Sequence, residues 1–116
     1  MKDRTRIKVS DVPINERNGF SYRRIVSEKD GNHNILMIDV TTTHPLRRVL
    51  QGLRYYFVLA GSGTFVIDGE KFEVADQEIM TIQAGQEYRY EASPGGMSML
   101  ELNVNLQPGP LHEDLE

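Results

Sequence analysis

The sequence predicts an all-β fold, a sandwich or barrel of short strands, on three observations. Runs rich in β-branched and aromatic residues recur along the chain, from FSYRRIV at 20–26 to MSMLELNVN at 97–105. Turn signals separate these runs at roughly 7- to 10-residue spacing, drawing on 10 glycines and 5 prolines. No stretch of about 11 residues or more keeps a helical hydrophobic period.

Taken in order, Ile7, Val9 and Val12 predict a short edge strand that Pro13 stops, within an N-terminal arm over 1–19. Phe20 to Val26 predicts the first strand of the body, and Asp30-Gly31 a hairpin tip. His33 to Thr43 predicts the next strand, with Leu36, Ile38 and Val40 on one face and Ile35, Met37 and Asp39 on the other. HPLRRVLQG at 44–52 reads as a looser connection. Leu53 to Ala60 and Thr64 to Ile67 read as strands around a tight Gly61-Ser62-Gly63 turn, followed by a hairpin signal at Asp68-Gly69. Glu70 to Val74, Glu78 to Ile82 and Glu87 to Glu91 continue the pattern. Ser93 to Gly96 reads as a turn, Met97 to Asn105 as the last strand, and 106–116 as a solvated tail. The barrel body is thus expected over 20–105 of a single domain spanning 1–116.

Composition narrows the function. The chain is acidic, with net charge −4, which argues against a general nucleic-acid binder. It has no cysteine, which removes thiolate metal sites and a cysteine nucleophile. No apolar run reaches the roughly 20 residues of a membrane span, and no apolar leader follows the charged N-terminus. Cytoplasmic location is therefore the expectation. Phosphate-cradling glycine loops, a Gly-x-Ser-x-Gly elbow and a His-Glu-x-x-His sequence are all absent.

The block YYFVLAGSGTFVIDGEKFEV, then EIMTIQAGQEYRYEA, resembles the conserved half of a small single-domain cupin, and the resemblance covers about Ile35 to Val104. It implies a cupin-type double-stranded β-helix, a jelly-roll barrel that is often a homodimer and holds its ligand in the barrel mouth. Family members carry two histidines and a glutamate before a glycine, then a further histidine after a Pro-x-Gly. Anchored on Gly61, the glutamate position is Arg54 and the first two histidine positions fall within 47–50; the second motif reads Gln83-Ala84-Gly85, with Tyr88 in the histidine position. The resemblance therefore implies a metal-free cupin without a cofactor, since an arginine repels a divalent cation and a neutral tyrosine replaces imidazole poorly. His44, just before the degenerate motif, and His33 are the remaining candidates for a metal ligand, against a reading of both as surface or loop histidines.

Strand alternation gives an independent view of the interior. With Arg54 inward, Tyr56 and Val58 follow it, and with Tyr88 inward so does Tyr90. On the last strand Met97, Met99, Glu101 and Asn103 share the face that suits a cavity lining, while Leu100, Leu102 and Val104 suit packing against a second sheet. A buried Arg54 needs a partner: Glu101 or Asp39 inside the protein, or an anionic ligand. Arg47 and Arg48 add positive charge at the same rim.

The expected ligand is a carbohydrate or small organic anion held by Arg54, Tyr56, Tyr88, Tyr90, Met99, Glu101 and Arg48. An alternative is a sugar or keto-acid isomerase, epimerase or lyase, with Tyr88 or Glu101 as the proton carrier. Metal-free cupin-like epimerases pair such a tyrosine with a histidine on a neighbouring strand, and no histidine here falls inside a clearly predicted strand. A third reading is a non-catalytic sensory or interaction module.

Overall fold

The computed structural model describes residues 6–27 and 32–116, so the hairpin tip expected at Asp30-Gly31 lies outside the described residues. Among the described residues, nine strands curl into a barrel in the order β1 (Asn15–Arg17), β2 (Phe20–Ser27), β3 (Asn34–Val40), β4 (Thr43–Val49), β5 (Leu53–Ile67), β6 (Glu70–Ala75), β7 (Ile79–Gln83), β8 (Glu87–Val104) and β9 (His112–Asp114). A short 3-10 turn, Val9–Asp11, stands where the sequence suggests an edge strand. Arg23 explains the local path, because its Nη1 donates to the carbonyls of Val9 and Val12 at 2.9 Å each.

Two long strands organise the barrel. The first half of β8 pairs with β4 and with the second half of β5, whereas its second half pairs with β3 and with the first half of β5. The Gly61-Ser62-Gly63 segment, expected as a turn, lies inside β5, and Ser93 to Gly96 lies inside β8. Both glycine segments serve as bends. Gly61 adopts φ +84, and a Cβ there would collide with the carbonyl of Gly96 on the adjoining strand. Register shifts around Ala60 and Gly61 turn β5 from one half of the barrel to the other.

Two further expectations are corrected. The stretch at 44–52 contains the strand β4, and the tail contributes β9, which pairs with β4 through Arg47↔Asp114, Arg48↔Glu113 and Val49↔His112. Backbone pairing with β4 docks the tail, and opposite charges accompany it: Arg47 and Arg48 meet Asp114 and Glu113 at 2.8 and 2.6 Å.

The barrel interior is graded along its axis. At one end Val40, Val58, Phe65, Met97 and Met99 close an apolar core. Toward the other end the same strands carry Asn34 on β3, Arg54 on β5, and Glu101 and Asn103 on β8, joined across the sheet by the pairs Asn34↔Asn103, Arg54↔Asn103 and Tyr56↔Glu101. Strand alternation thus places polar groups at the open end of a barrel whose closed end is sealed. Leu100, Leu102 and Val104 face outward and are only partly buried, so they do not pack against a second sheet.

Candidate functional site

A cavity of about 270 Å³ opens at the polar end of the barrel. Its wall includes Arg54, Glu101, Asn103, Tyr90, His44 and His112. Arg54 is nearly fully buried. Its Nη1 donates to the Tyr88 hydroxyl at 2.6 Å, and that oxygen also accepts the Tyr56 hydroxyl at 3.1 Å. Nη2 lies 3.1 Å from Nδ1 of His112, which accepts because a guanidinium only donates. Glu101 is the internal charge partner at 4.0 Å, whereas Asp39 sits outside the barrel and accepts from Ser98. Burial works against the Arg54 cation, but Tyr56, Tyr88 and Glu101 more than offset it, so the side chain stays charged.

His44 is the main departure from the sequence reading. It is a buried residue of β4, directly across from Tyr90 on β8, and neither a loop nor a surface histidine. Its ring stacks on Tyr90 at 4.5 Å and lies 4.8 Å from Phe20 and 5.7 Å from Tyr88. Nδ1 lies 2.8 Å from the Pro45 carbonyl, which can only accept, so Nδ1 carries the proton and Nε2 keeps a lone pair. Burial first, and then Arg47, lower its pKa to about 3. His112, half-buried on β9, is lowered to about 4 by burial, Arg47 and Arg54. Both imidazoles are therefore neutral at pH 7.

Tyr90 complements His44. It is buried, and its hydroxyl has no hydrogen-bond partner. Burial holds its pKa well above the ordinary tyrosine value, so the proton stays on. Tyr88 is also raised by burial, with Arg54 opposing, yet its oxygen is already engaged. Asn103 donates through Nδ2 to Asn34 at 2.6 Å and to Glu101 at 2.7 Å, and its Oδ1 is a second buried atom without a partner.

Of the residues expected to hold a ligand, Arg54, Tyr90 and Glu101 line the cavity. Tyr56 and Tyr88 stand behind Arg54, and Met99 is wholly buried in the apolar core. Arg48 points away from the cavity into ion pairs with Glu87 at 2.7 Å and Glu113 at 2.6 Å. His33 is exposed, and among the described residues its side chain meets Asn32 at 3.4 Å. Sequence reasoning missed His112, Arg17, Tyr22 and Arg24 as cavity residues. A signal for the first was present: the acidic pair after His112 is opposite in sign to Arg47-Arg48 and equal in spacing.

The metal positions of the family pattern do not fit a divalent ion. Arg54 places a permanent cation in one of them, hydrogen-bonded to Tyr88 in another. Among the described residues, no three His, Asp or Glu side chains converge on one point.

No family model matches the chain, and no curated protein matches it by sequence. Solved structures do match. Streptomyces Pac13, described as a nucleoside dehydratase, superposes with TM-score 0.84 at 14% identity, over 98% of this chain and 92% of Pac13. The polyketide cyclase RemF from Streptomyces resistomycificus gives 0.76 at 18% identity, over 97% of this chain and 85% of RemF. The cupin domain of Schizosaccharomyces pombe Cnp3 gives 0.76 at 8% identity, over 87% of this chain and 74% of that one. At these identities the likeness concerns the fold. The chain is a small cupin-fold domain.

Proposed function

We propose that this chain is an enzyme that performs acid–base chemistry with its own side chains on a small polar molecule, a carbohydrate-like compound or a small organic anion. One observation carries the reading. His44 and Tyr90 are stacked cross-strand partners on one cavity wall, and they present a lone pair and an unpartnered hydroxyl proton respectively. A base beside an acid suits proton transfer at adjacent positions of a substrate. Nε2 of His44 takes a proton from a carbon next to a carbonyl, and the C–H electron pair becomes the new double bond. A hydroxyl on the neighbouring carbon leaves with its own electron pair and the proton of Tyr90, as water. The proton on His44 then returns to the tyrosinate through solvent. Without a leaving hydroxyl, the same two groups move a proton from one carbon to another, which is isomerisation.

Arg54 has the chemistry to steady negative charge on the carbonyl oxygen, with Tyr88 and Tyr56 fixing its direction. In the free site His44 is a weak base, because burial and the nearby Arg47 and Arg54 disfavour its cation. Negative charge developing on a substrate offsets those two arginines and raises its basicity. The names of two fold neighbours, a nucleoside dehydratase and a polyketide cyclase, support searching for small-molecule turnover. Pac13 is also known with uridine in variants that replace a histidine or a tyrosine.

The test is a screen of sugars, nucleosides and keto acids, followed by NMR for solvent-deuterium incorporation and by mass for loss of water. At least one compound is expected to turn over. His44→Gln and Tyr90→Phe are each expected to slow that turnover by about 10²- to 10⁴-fold, with native-like melting. Variants that keep full activity would remove the two residues from the chemistry. Saturable binding with no exchange or water loss across the screen would instead make the chain a binding module.

A further inference from the structure

We infer that Arg17, Arg24 and Tyr22 form an anion-binding subsite at the cavity mouth, so that the substrate carries a carboxylate or phosphate at its outer end. This rests on reading the cavity as the substrate site, and it adds the class of molecule admitted.

The chain has 17 acidic residues against 13 basic ones, yet among the described residues the cavity wall reverses this balance, with Arg17, Arg24, Arg47 and Arg54 against Glu101. Two of these cations are matched, Arg47 by Asp114 at 2.8 Å and Arg54 by Glu101 at 4.0 Å. Arg17 and Arg24 form no ion pair with any carboxylate among the described residues. Two cations that meet no carboxylate among the described residues, at the entrance of an acidic protein, make a local field that concentrates anions there.

Both cations lie against one aromatic ring at the cavity mouth. The guanidinium carbons of Arg17 and Arg24 lie 5.2 and 5.7 Å from the centroid of the same Tyr22 ring. Arg17 commits Nη1 to the Glu16 carbonyl at 2.8 Å and Nη2 to the Tyr22 hydroxyl at 3.1 Å, which fixes its plane. Arg24 makes no side-chain hydrogen bond to the described residues beyond its approach to the Tyr22 ring. The aromatic ring attracts both guanidiniums, and their planar forks match carboxylate and phosphate oxygens. The subsite opens into the same cavity as the buried, unpartnered Tyr90 hydroxyl and Asn103 Oδ1. One ligand can therefore meet both ends, with its anionic group at the rim and its reacting carbons beside His44.

The experiment uses simple anions, so it does not depend on knowing the substrate. Inorganic phosphate and sodium acetate are titrated separately at constant ionic strength, and the arginine guanidinium resonances are followed by NMR. Saturable shifts at Arg17 and Arg24 in the millimolar range are expected. The double variant Arg17→Gln, Arg24→Gln is expected to weaken the tighter anion's binding at least about tenfold. The comparison of phosphate with acetate decides which group the rim prefers. Linear, unsaturable shifts with both anions overturn the subsite, and so does a double variant that keeps the saturation. Because both substitutions are at exposed side chains, an unchanged melting temperature excludes misfolding as the cause. Turnover without anion binding at the rim removes the subsite and leaves the proposed enzyme; anion binding without any turnover does the reverse.

Discussion

At the residue scale, His44 and Tyr90 separate stability from function. A buried hydroxyl without a partner carries a desolvation cost that a phenyl ring avoids. Tyr90→Phe is therefore expected to leave the protein as stable or up to about 1 kcal/mol more stable in urea melts, while turnover falls. A loss of both together would show that the hydroxyl is satisfied in solution. His44 gives a second prediction, in pH. Its folded pKa of about 3 lies below the ordinary 6.5, so between those values the unfolded chain binds more protons than the folded one. Stability is thus complete above pH 6.5 and falls as the pH drops toward 3. The contribution of this one group is on the order of 4 kcal/mol across that window. His112, also lowered, acts in the same direction with a smaller share because it is half exposed. Urea midpoints measured from pH 7 to pH 4 should fall, and the fall should be shallower in His44→Gln.

At the element scale, β9 is short, yet it completes the cavity wall. It supplies His112 to Arg54 and pairs with β4, while Leu111 just before it also lines the cavity. The ion pairs Arg47–Asp114 and Arg48–Glu113 are partly exposed and contribute little on their own. Ending the chain after Pro110 should therefore cost a modest ~1–3 kcal/mol, read as a lower urea midpoint. Ligand affinity should fall more sharply, because Arg54 loses the acceptor that orients Nη2. Unchanged affinity in the shortened chain would make β9 a passive edge.

At the scale of the whole molecule, the outer face of the barrel bears on the homodimer expected from the sequence. The described part of the N-terminal arm pairs with β2 of its own chain, through Asn15↔Tyr22 and Arg17↔Phe20. The apolar surface left over is elsewhere. Met37, Leu100, Phe57 and Ile79 run side by side across four paired strands on the outer face, joined by Ile35, Leu102 and Tyr55 in the next row. Ile79 is 59% exposed. A contiguous apolar row of this kind favours association with a second copy. Sedimentation velocity should give twice the 13.2 kDa of the chain, and Phe57→Asp should shift the protein toward monomer. A wild-type monomer at micromolar concentration would remove the dimer.

The sequence by itself determined the barrel's inner and outer faces. Alternation along 54–58 and 97–104 reports which side chains share a face, and the structure buries Arg54, Tyr56 and Val58 together with Met97, Met99, Glu101 and Asn103. It also located Arg54 and Tyr88 where a metal site would stand, and the structure joins those two by a hydrogen bond. Only the tertiary structure decided which residues meet across strands. His44 follows a run of threonines and precedes a proline, so locally it reads as the start of a loop; pairing with β8 makes it a strand residue opposite Tyr90. Gly61 and Gly96 read locally as turns, yet β5 and β8 continue through them, because pairing with the neighbouring strand resumes on either side of the register shift. The tail reads as solvated acid until Arg47 and Arg48 are aligned with it. In each case the deciding energy lies in long-range pairing, and backbone register between distant segments is not written in the local pattern of either one.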